Sequence, residues 1–243
     1  MMLVIDIGNS FVKWKSWGPA GVIGRGRLPV DADMTAAFAG MADNQKMQLV
    51  LGSVANRQVE LVLQQLFAGR IRRVITVASG LGVSNAYVDP EKLGVDRWAA
   101  LVEAFCQSEK RACCVFDLGT AATLDVVDDE GFHQGGFIVP GLQMMKSSLL
   151  KSTERVRFDL HKPTLHSVYY GQNTAEAVHC GVEGMIRAWL VEEIRRFRSE
   201  YPGAVVWLTG GDGRQFAATL AVENVKYCPD LVVDGLRRMA IAG

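Results

Sequence analysis

Residues 3–13 read L-V-I-D-I-G-N-S-F-V-K, an apolar run that ends in a carboxylate, a glycine and two hydrogen-bonding side chains. Valine and isoleucine followed by a Gly-Asn turn and then Phe11 and Val12 predict a β-hairpin with Asp6 at the strand end. The glycine lets a ligand approach the backbone closely. Successive turn N–H groups, together with Asn9 and Ser10, can donate to phosphate oxygens, and Lys13 can add a positive charge. A carboxylate repels phosphate, so Asp6 has a place at such a turn only as a partner for Mg²⁺ or for a water on it. The plainer reading of one isolated Asp-x-Gly turn is ordinary hairpin chemistry.

The pattern returns. Residues 115–125 read V-F-D-L-G-T-A-A-T-L-D, with the same order of apolar run, Asp, apolar residue, Gly and polar residue, so Asp6 and Gly8 correspond to Asp117 and Gly119. Two copies predict two related halves facing one cleft.

With 243 residues the chain can bury one large core or two ordinary ones, and the repeat favours two. Its 26 basic residues balance its 26 acidic ones, so no global field draws it to nucleic acid or to an anionic membrane. No apolar run approaches the roughly 18 residues of a membrane span, and M-M-L-V-I-D meets an acid too soon for a secretion signal. The expected location is cytoplasmic. Five cysteines without C-x-x-C spacing and four histidines without ligand spacing predict neither disulfides nor a zinc site.

Along the chain, residues 22–29 predict an edge strand, 33–41 a weak helix, 49–54 a strand, 57–67 a helix with Val59, Val62, Leu63 and Leu66 on one stripe, and 73–78 a strand. Residues 79–89 read as a loop closing on Tyr87. A helix is expected from about Asp96, burying Trp98, Leu101, Val102 and Phe105, with Asp96 most simply its N-cap. Arg97 then lies at the positive end of the helix dipole, which calls for some other partner. In the second half, strands are expected over 112–117, 122–127 and into G-G-F-I-V-P-G at 135–141, with Pro140 starting a Met- and Leu-rich helix. Residues 151–171 read as a mobile loop. The longest helix is expected over 173–201, with Asn173 and Glu176 as a capping box and the cations at 195–198 pairing with Glu192 on a solvated face. A buried strand at 205–208 runs into T-G-G-D at 209–212, where Gly210 and Gly211 let a flat ligand lie on the backbone. A short helix at 214–220, a strand around Val225 and a helix over 231–240 complete the order. Strands grouped first and then alternating with helices predict mixed sheets covered by helices.

Together, D-I-G-N-S-F-V-K, D-L-G-T-A-A-T and L-T-G-G-D resemble the two phosphate segments and the adenosine segment of the acetate and sugar kinase, heat-shock ATPase and actin superfamily. Within it, G-V-D-R at 94–97, G-G-F-I-V-P-G at 135–141 and Q-N-T-A-E-A at 172–177 resemble type III pantothenate kinase. The resemblance implies two duplicated ribonuclease-H-like α/β domains, residues 1–111 and 112–243, with an ATP cleft between them. It implies ATP-dependent phosphorylation of the primary hydroxyl of pantothenate, the first step of coenzyme A biosynthesis. ATP, with Mg²⁺, would be held by Asp6, Ile7, Gly8, Asn9, Ser10, Phe11, Val12, Lys13 and Thr120, with Gly210 and Gly211 at the adenosine. Asp117 would coordinate a monovalent cation, K⁺ or NH₄⁺. Tyr87, Gly94, Val95, Asp96, Arg97 and Thr174 would hold pantothenate, and Asp96 would take the proton from its hydroxyl. Family members are homodimers with the substrate site near the interface, which gives residues 135–141 a role in that contact. Phe137 stands where the family often has Tyr.

Two other functions share these motifs. One is another sugar or carboxylate kinase of the superfamily, from which only residues 94–97 and Thr174 discriminate. The other is a non-catalytic nucleotide-binding regulator, against which Asp6, Lys13, Asp96 and Asp117 speak, since a binding module need not keep a base.

Overall fold

A computed structural model describes residues 1–152, 158, 170–220 and 222–242. Its α/β chain forms two five-stranded sheets. The first contains β1 (Met2–Ile7), β2 (Phe11–Gly18), β3 (Gly21–Pro29), β4 (Gln48–Ser53) and β5 (Ile71–Arg73), in the order β3-β2-β1-β4-β5. Two short strands, β6 (Ser79–Gly80) and β7 (Val83–Ser84), pair by themselves. The second large sheet contains β8 (Cys113–Leu118), β9 (Ala121–Val127), β10 (His133–Pro140), β11 (Val205–Thr209) and β12 (Val225–Tyr227), in the order β10-β9-β8-β11-β12. Rank for rank the two orders are the same, so β1 and β8, the strands that carry the repeated motif, are each central in their sheet. The helices are α1 (Met34–Ala42), α2 (Arg57–Leu66), α3 (Val95–Gln107), α4 (Leu142–Ser152), α5 (Thr174–Glu200), α6 (Gly213–Thr219) and α7 (Leu231–Ala242).

Contacts group Met1–Ala112, Val126–Gly135 and Asp230–Gly243 into one compact unit, and Cys113–Asp125 with Gly136–Pro229 into another. In the first unit β1 pairs antiparallel with β2 and parallel with β4, which makes the sheet mixed. Alternation along β1 sends Leu3, Ile5 and Ile7 to one face, where they pack with Phe38, Leu63 and Phe67 of the α1–α2 layer. Val4 and Asp6 point to the other face. There Gly52, the register partner of Asp6, lies so close to Leu236 of α7 that a Cβ would sit 2.7 Å from its methyls.

Helix α7 packs on α3 at Gly235, where a Cβ would come within 2.0 Å of the Ala99 carbonyl oxygen. Beside that crossing, Arg238 grips the buried Glu103 with two bonds, Nε to Oε2 at 2.5 Å and Nη2 to Oε1 at 3.0 Å. Gln107 Nε2 adds a third donor at 2.7 Å. Arg238→Ala strips a buried carboxylate of its cation and should cost about 2 kcal/mol, less than for a wholly buried pair because water reaches the arginine. Urea unfolding of that variant, with the exposed Arg195→Ala as control, checks this: the first midpoint should fall and the second stay put. The tip of the β9–β10 hairpin joins the same unit, with the Ser84 N–H on the Gly131 carbonyl at 2.8 Å.

Several element boundaries differ from expectation. The strand expected at 73–78 is β5, three residues at 71–73, because the ladder to β4 ends with Leu51 opposite Arg73. Beyond it the chain leaves the sheet and the Thr76 hydroxyl donates to the Leu93 carbonyl at 2.8 Å. Pro140 closes β10 rather than opening α4, and Gly141 accepts the first helical bond, from the Met145 N–H at 3.0 Å. At α5 the Asn173 side chain accepts from the Glu176 N–H at 3.0 Å, while the Glu176 carboxylate reaches one residue further back, to the Gln172 N–H at 2.8 Å. Most of the loop expected over 151–171 lies outside the described residues.

Candidate functional site

The first unit contributes the phosphate-turn motif. Asp6, 7% exposed, is the next-to-last residue of β1 and lies directly opposite Lys13 of β2, and residues 8–10 form the turn between the strands. The Gly8 N–H is spent inside the turn, on the Phe11 carbonyl at 3.0 Å. Of the turn amides expected to face phosphate, that of Gly8 is therefore already engaged within the turn. Two neighbours were invisible in the motif. The Arg27 guanidinium of the edge strand β3 lies over the Phe11 ring at 3.3 Å, which places a cation beside the turn. Asn56, just before α2, donates through Nδ2 to the Gly8 carbonyl at 2.6 Å and to the Asn9 carbonyl at 3.3 Å.

The same unit carries the G-V-D-R segment. Helix α3 begins at Val95, with Gly94 as its N-cap residue, so Asp96 is not the N-cap expected from sequence but the second helical residue. The cap lies two residues earlier because Gly94 already supplies the extended backbone (φ −55°, ψ 135°) and its carbonyl accepts the Trp98 N–H at 3.0 Å. Asp96 Oδ1 folds back to accept the Arg97 N–H at 2.8 Å. A Cβ on Gly94 would stand 2.5 Å from that oxygen, so the glycine is what leaves room for this carboxylate. Arg97, 9% exposed, finds the partner that its place in the helix dipole demanded: Nη1 donates to the Tyr87 hydroxyl at 3.0 Å. Tyr87 is itself fixed from two sides, its N–H on Asn85 Oδ1 at 3.0 Å and its ring stacked on His133 with centroids 6.2 Å apart. Tyr87, Gly94, Asp96 and Arg97 thus form one connected cluster, with Val95 buried behind it. Next to it a cavity of about 370 Å³ is lined by Ser53, Val54, Thr76, Leu93 and Gly94, among others.

In the second unit the repeated motif is built alike. Asp117 pairs in register with Thr209, and Gly119 turns by donating to the Ala121 carbonyl at 3.0 Å. Thr120 is exposed, and its carbonyl accepts from the Gly141 N–H at 3.1 Å. Gly210 has φ +85°, and a Cβ there would lie 2.4 Å from the Leu118 carbonyl oxygen and 2.5 Å from Asp117 Oδ1. Only glycine satisfies both constraints, which brings the T-G-G-D turn against the second Asp. Gly211 is exposed beside it. Thr174 is exposed at the first position of α5.

Deeper in this unit, Lys146 of α4 and His179 of α5 meet at 2.7 Å between Nζ and Nδ1, both buried. Burial pushes the Lys146 ammonium below its usual range, against the pull of Glu183 and Asp212. Among the described residues, no helix is long and apolar enough to cross a membrane.

Residues 2–196 match the family model of type III pantothenate kinase. The type III pantothenate kinase of Ectopseudomonas mendocina is 37% identical, with 97% of each chain covered. That of Alcanivorax borkumensis is 32% identical, over 99% of this chain and 98% of the relative. Among solved structures, a conserved Baf family protein of Campylobacter jejuni superposes with a TM-score of 0.61 at 22% identity, over 98% of this chain and 97% of that one. Porphyromonas gingivalis acetate kinase superposes with a TM-score of 0.50 at 11% identity, over 99% of each chain. At those identities the two structures speak for the fold alone.

Proposed function

Because the chain belongs to the type III pantothenate kinase family, we propose that it transfers the γ-phosphoryl group of ATP to the primary hydroxyl of pantothenate, giving 4′-phosphopantothenate for coenzyme A synthesis. The observation that carries this reading is the family match over residues 2–196. Added to it is the cluster at the start of α3, where Tyr87 and Arg97 are tied together beside the Asp96 carboxylate.

Tyr87, Gly94, Val95, Arg97 and Thr174 hold pantothenate in this reading, and Asp96 accepts its hydroxyl proton. The hydroxyl oxygen bonds to the γ-phosphorus, the bond from that phosphorus to the β-bridging oxygen breaks, and ADP leaves with the electron pair. Such a transfer depends mainly on positioning and on neutralising charge. In the first turn Lys13 and the amides of Asn9 and Ser10 face the phosphates, and Thr120 joins from the second turn. Gly210 and Gly211 receive the adenosine.

Among the described residues no three His, Cys, Asp or Glu side chains gather to hold an ion. One carboxylate at each turn, Asp6 and Asp117, is a donor set suited to cations held largely by the nucleotide itself. Mg²⁺ fits beside Asp6, directly or through water, and K⁺ or NH₄⁺ beside Asp117. When bound, they neutralise phosphate charge. We place the enzyme in the cytoplasm as a homodimer whose contact uses residues 135–141. Support for that contact comes from Phe137 and Ile138, apolar yet 44% and 63% exposed.

The test is ADP release over a panel of acceptors, with K⁺, NH₄⁺ or Na⁺. Pantothenate should be preferred, and turnover should be higher in K⁺ or NH₄⁺ than in Na⁺. A preferred sugar refutes the acceptor, and equal rates in all three salts remove the role given to Asp117.

A further inference from the structure

Asn56 has an unusual conformation for the residue before a helix. Its backbone is left-handed (φ 58°, ψ 58°), and although it occupies the N-cap position of α2 its side chain makes no capping bond. An N-cap asparagine ordinarily sits in the extended region with its oxygen on a helical N–H. Here the side chain is turned to the phosphate turn instead, with Nδ2 on the Gly8 and Asn9 carbonyls at 2.6 Å and 3.3 Å. The left-handed backbone is disfavoured for a non-glycine residue, though least for asparagine. Something other than helix capping holds it there.

A trans peptide fixes the consequence. The Gly8 carbonyl and the Asn9 N–H belong to one planar unit and point in opposite directions, as do the Asn9 carbonyl and the Ser10 N–H. One amide group that holds both carbonyls on its own side therefore turns both N–H groups to the other side together. Two successive N–H groups with a common direction form an anion-binding concavity. The Gly8 N–H is already engaged with the Phe11 carbonyl at 3.0 Å, so how the turn receives a phosphate depends on the aim of its following peptides.

We propose that Asn56 is a positioning residue for ATP, which aims the Asn9 and Ser10 amides at the nucleotide phosphates by holding the Gly8 and Asn9 carbonyls from behind. The proposal rests on residues 6–13 being the phosphate turn, and it does not depend on which acceptor the enzyme uses.

Asn56→Gly tests it, because glycine adopts the left-handed backbone freely and removes only the amide. Calorimetric titration with ADP and Mg²⁺ should show about tenfold weaker binding than wild type, the loss expected for one or two misaimed hydrogen bonds. In steady state KM for ATP should rise by about the same factor while KM for pantothenate and the thermal midpoint hold. Asn56→Asp, which exchanges the donor for a charge that repels both carbonyls and phosphate, should lose more. ADP affinity at the wild-type level in Asn56→Gly overturns the proposal, as does a parallel rise in both KM values with a fallen midpoint, the mark of a merely structural role. A wild-type chain that turns over pantothenate but gains no ADP affinity from residues 6–13, shown by an unaltered Lys13→Ala, overturns the turn reading itself.

Discussion

Asp96→Asn should lower kcat by about 10²-fold or more while leaving ADP affinity and the thermal midpoint unchanged. The substitution is nearly isosteric, and the amide oxygen can still accept the Arg97 N–H that Asp96 Oδ1 accepts at 2.8 Å. The first turn of α3 is therefore kept, with Gly94 still its N-cap. What disappears, on the proposed role, is the ability to take a proton from the acceptor hydroxyl and to attract that hydroxyl as a charged partner. Because the turn proposed to receive phosphate lies between β1 and β2, nucleotide binding has no reason to follow. Steady-state turnover with pantothenate, alongside ADP titration, checks both halves. Near-normal turnover would sink the assignment of Asp96 as the base, and a fall in ADP affinity equal to the fall in kcat would make the residue part of the nucleotide site instead.

Legibility from sequence followed the range of the interactions. The opening hairpin was legible because its signals are local: alternation, a Gly-Asn turn and a charged pair, Asp6 and Lys13, that the register sets opposite each other. Its echo at β8 and β9 extended that reading to a second sheet of the same strand order. Boundaries set by a partner were not legible. Strand β5 stops where its ladder to β4 ends, with Leu51 opposite Arg73, which nothing in residues 71–78 announces. Asp96 could be read as a cap because Asp at an N-cap and Asp in the first helical turn are both favoured, and only the backbone of Gly94 decides between them. The grip of Arg238 on Glu103 spans 135 positions, and that of Asn56 on Gly8 spans 48, so no motif could contain either. In V-A-N-R the asparagine signals only a helix start; its left-handed backbone is what frees the side chain for the turn. Motifs taken from the family resemblance marked the residues proposed to meet ligand, and the structure adds neighbours that hold them, Asn56 on the Gly8 carbonyl and Gly94 beside Asp96.

Gly94→Ala isolates that second kind of role. Its backbone, φ −55° and ψ 135°, is open to any residue, so the glycine is not required for conformation. Space is the reason, because the added methyl would come 2.5 Å from Asp96 Oδ1. A short side chain that can rotate yields more easily than backbone, and the fold should lose only about 1 kcal/mol, mostly from the poorer cap. The carboxylate pays instead: it must swing by about 1 Å, and a misplacement of that size in a proton-accepting group can cost as much as 10²-fold. Turnover should therefore fall about 10- to 100-fold with ADP affinity intact. A second variant separates this from simple obstruction of the acceptor. If Gly94 acts through Asp96, adding Gly94→Ala to Asp96→Asn should cost little more in kcat than Asp96→Asn alone, because the group being displaced has already lost its function. If the methyl merely crowds pantothenate, the two losses should multiply and KM for pantothenate should rise in both backgrounds. Full multiplication would leave Gly94 a lining residue and remove its role in setting the base.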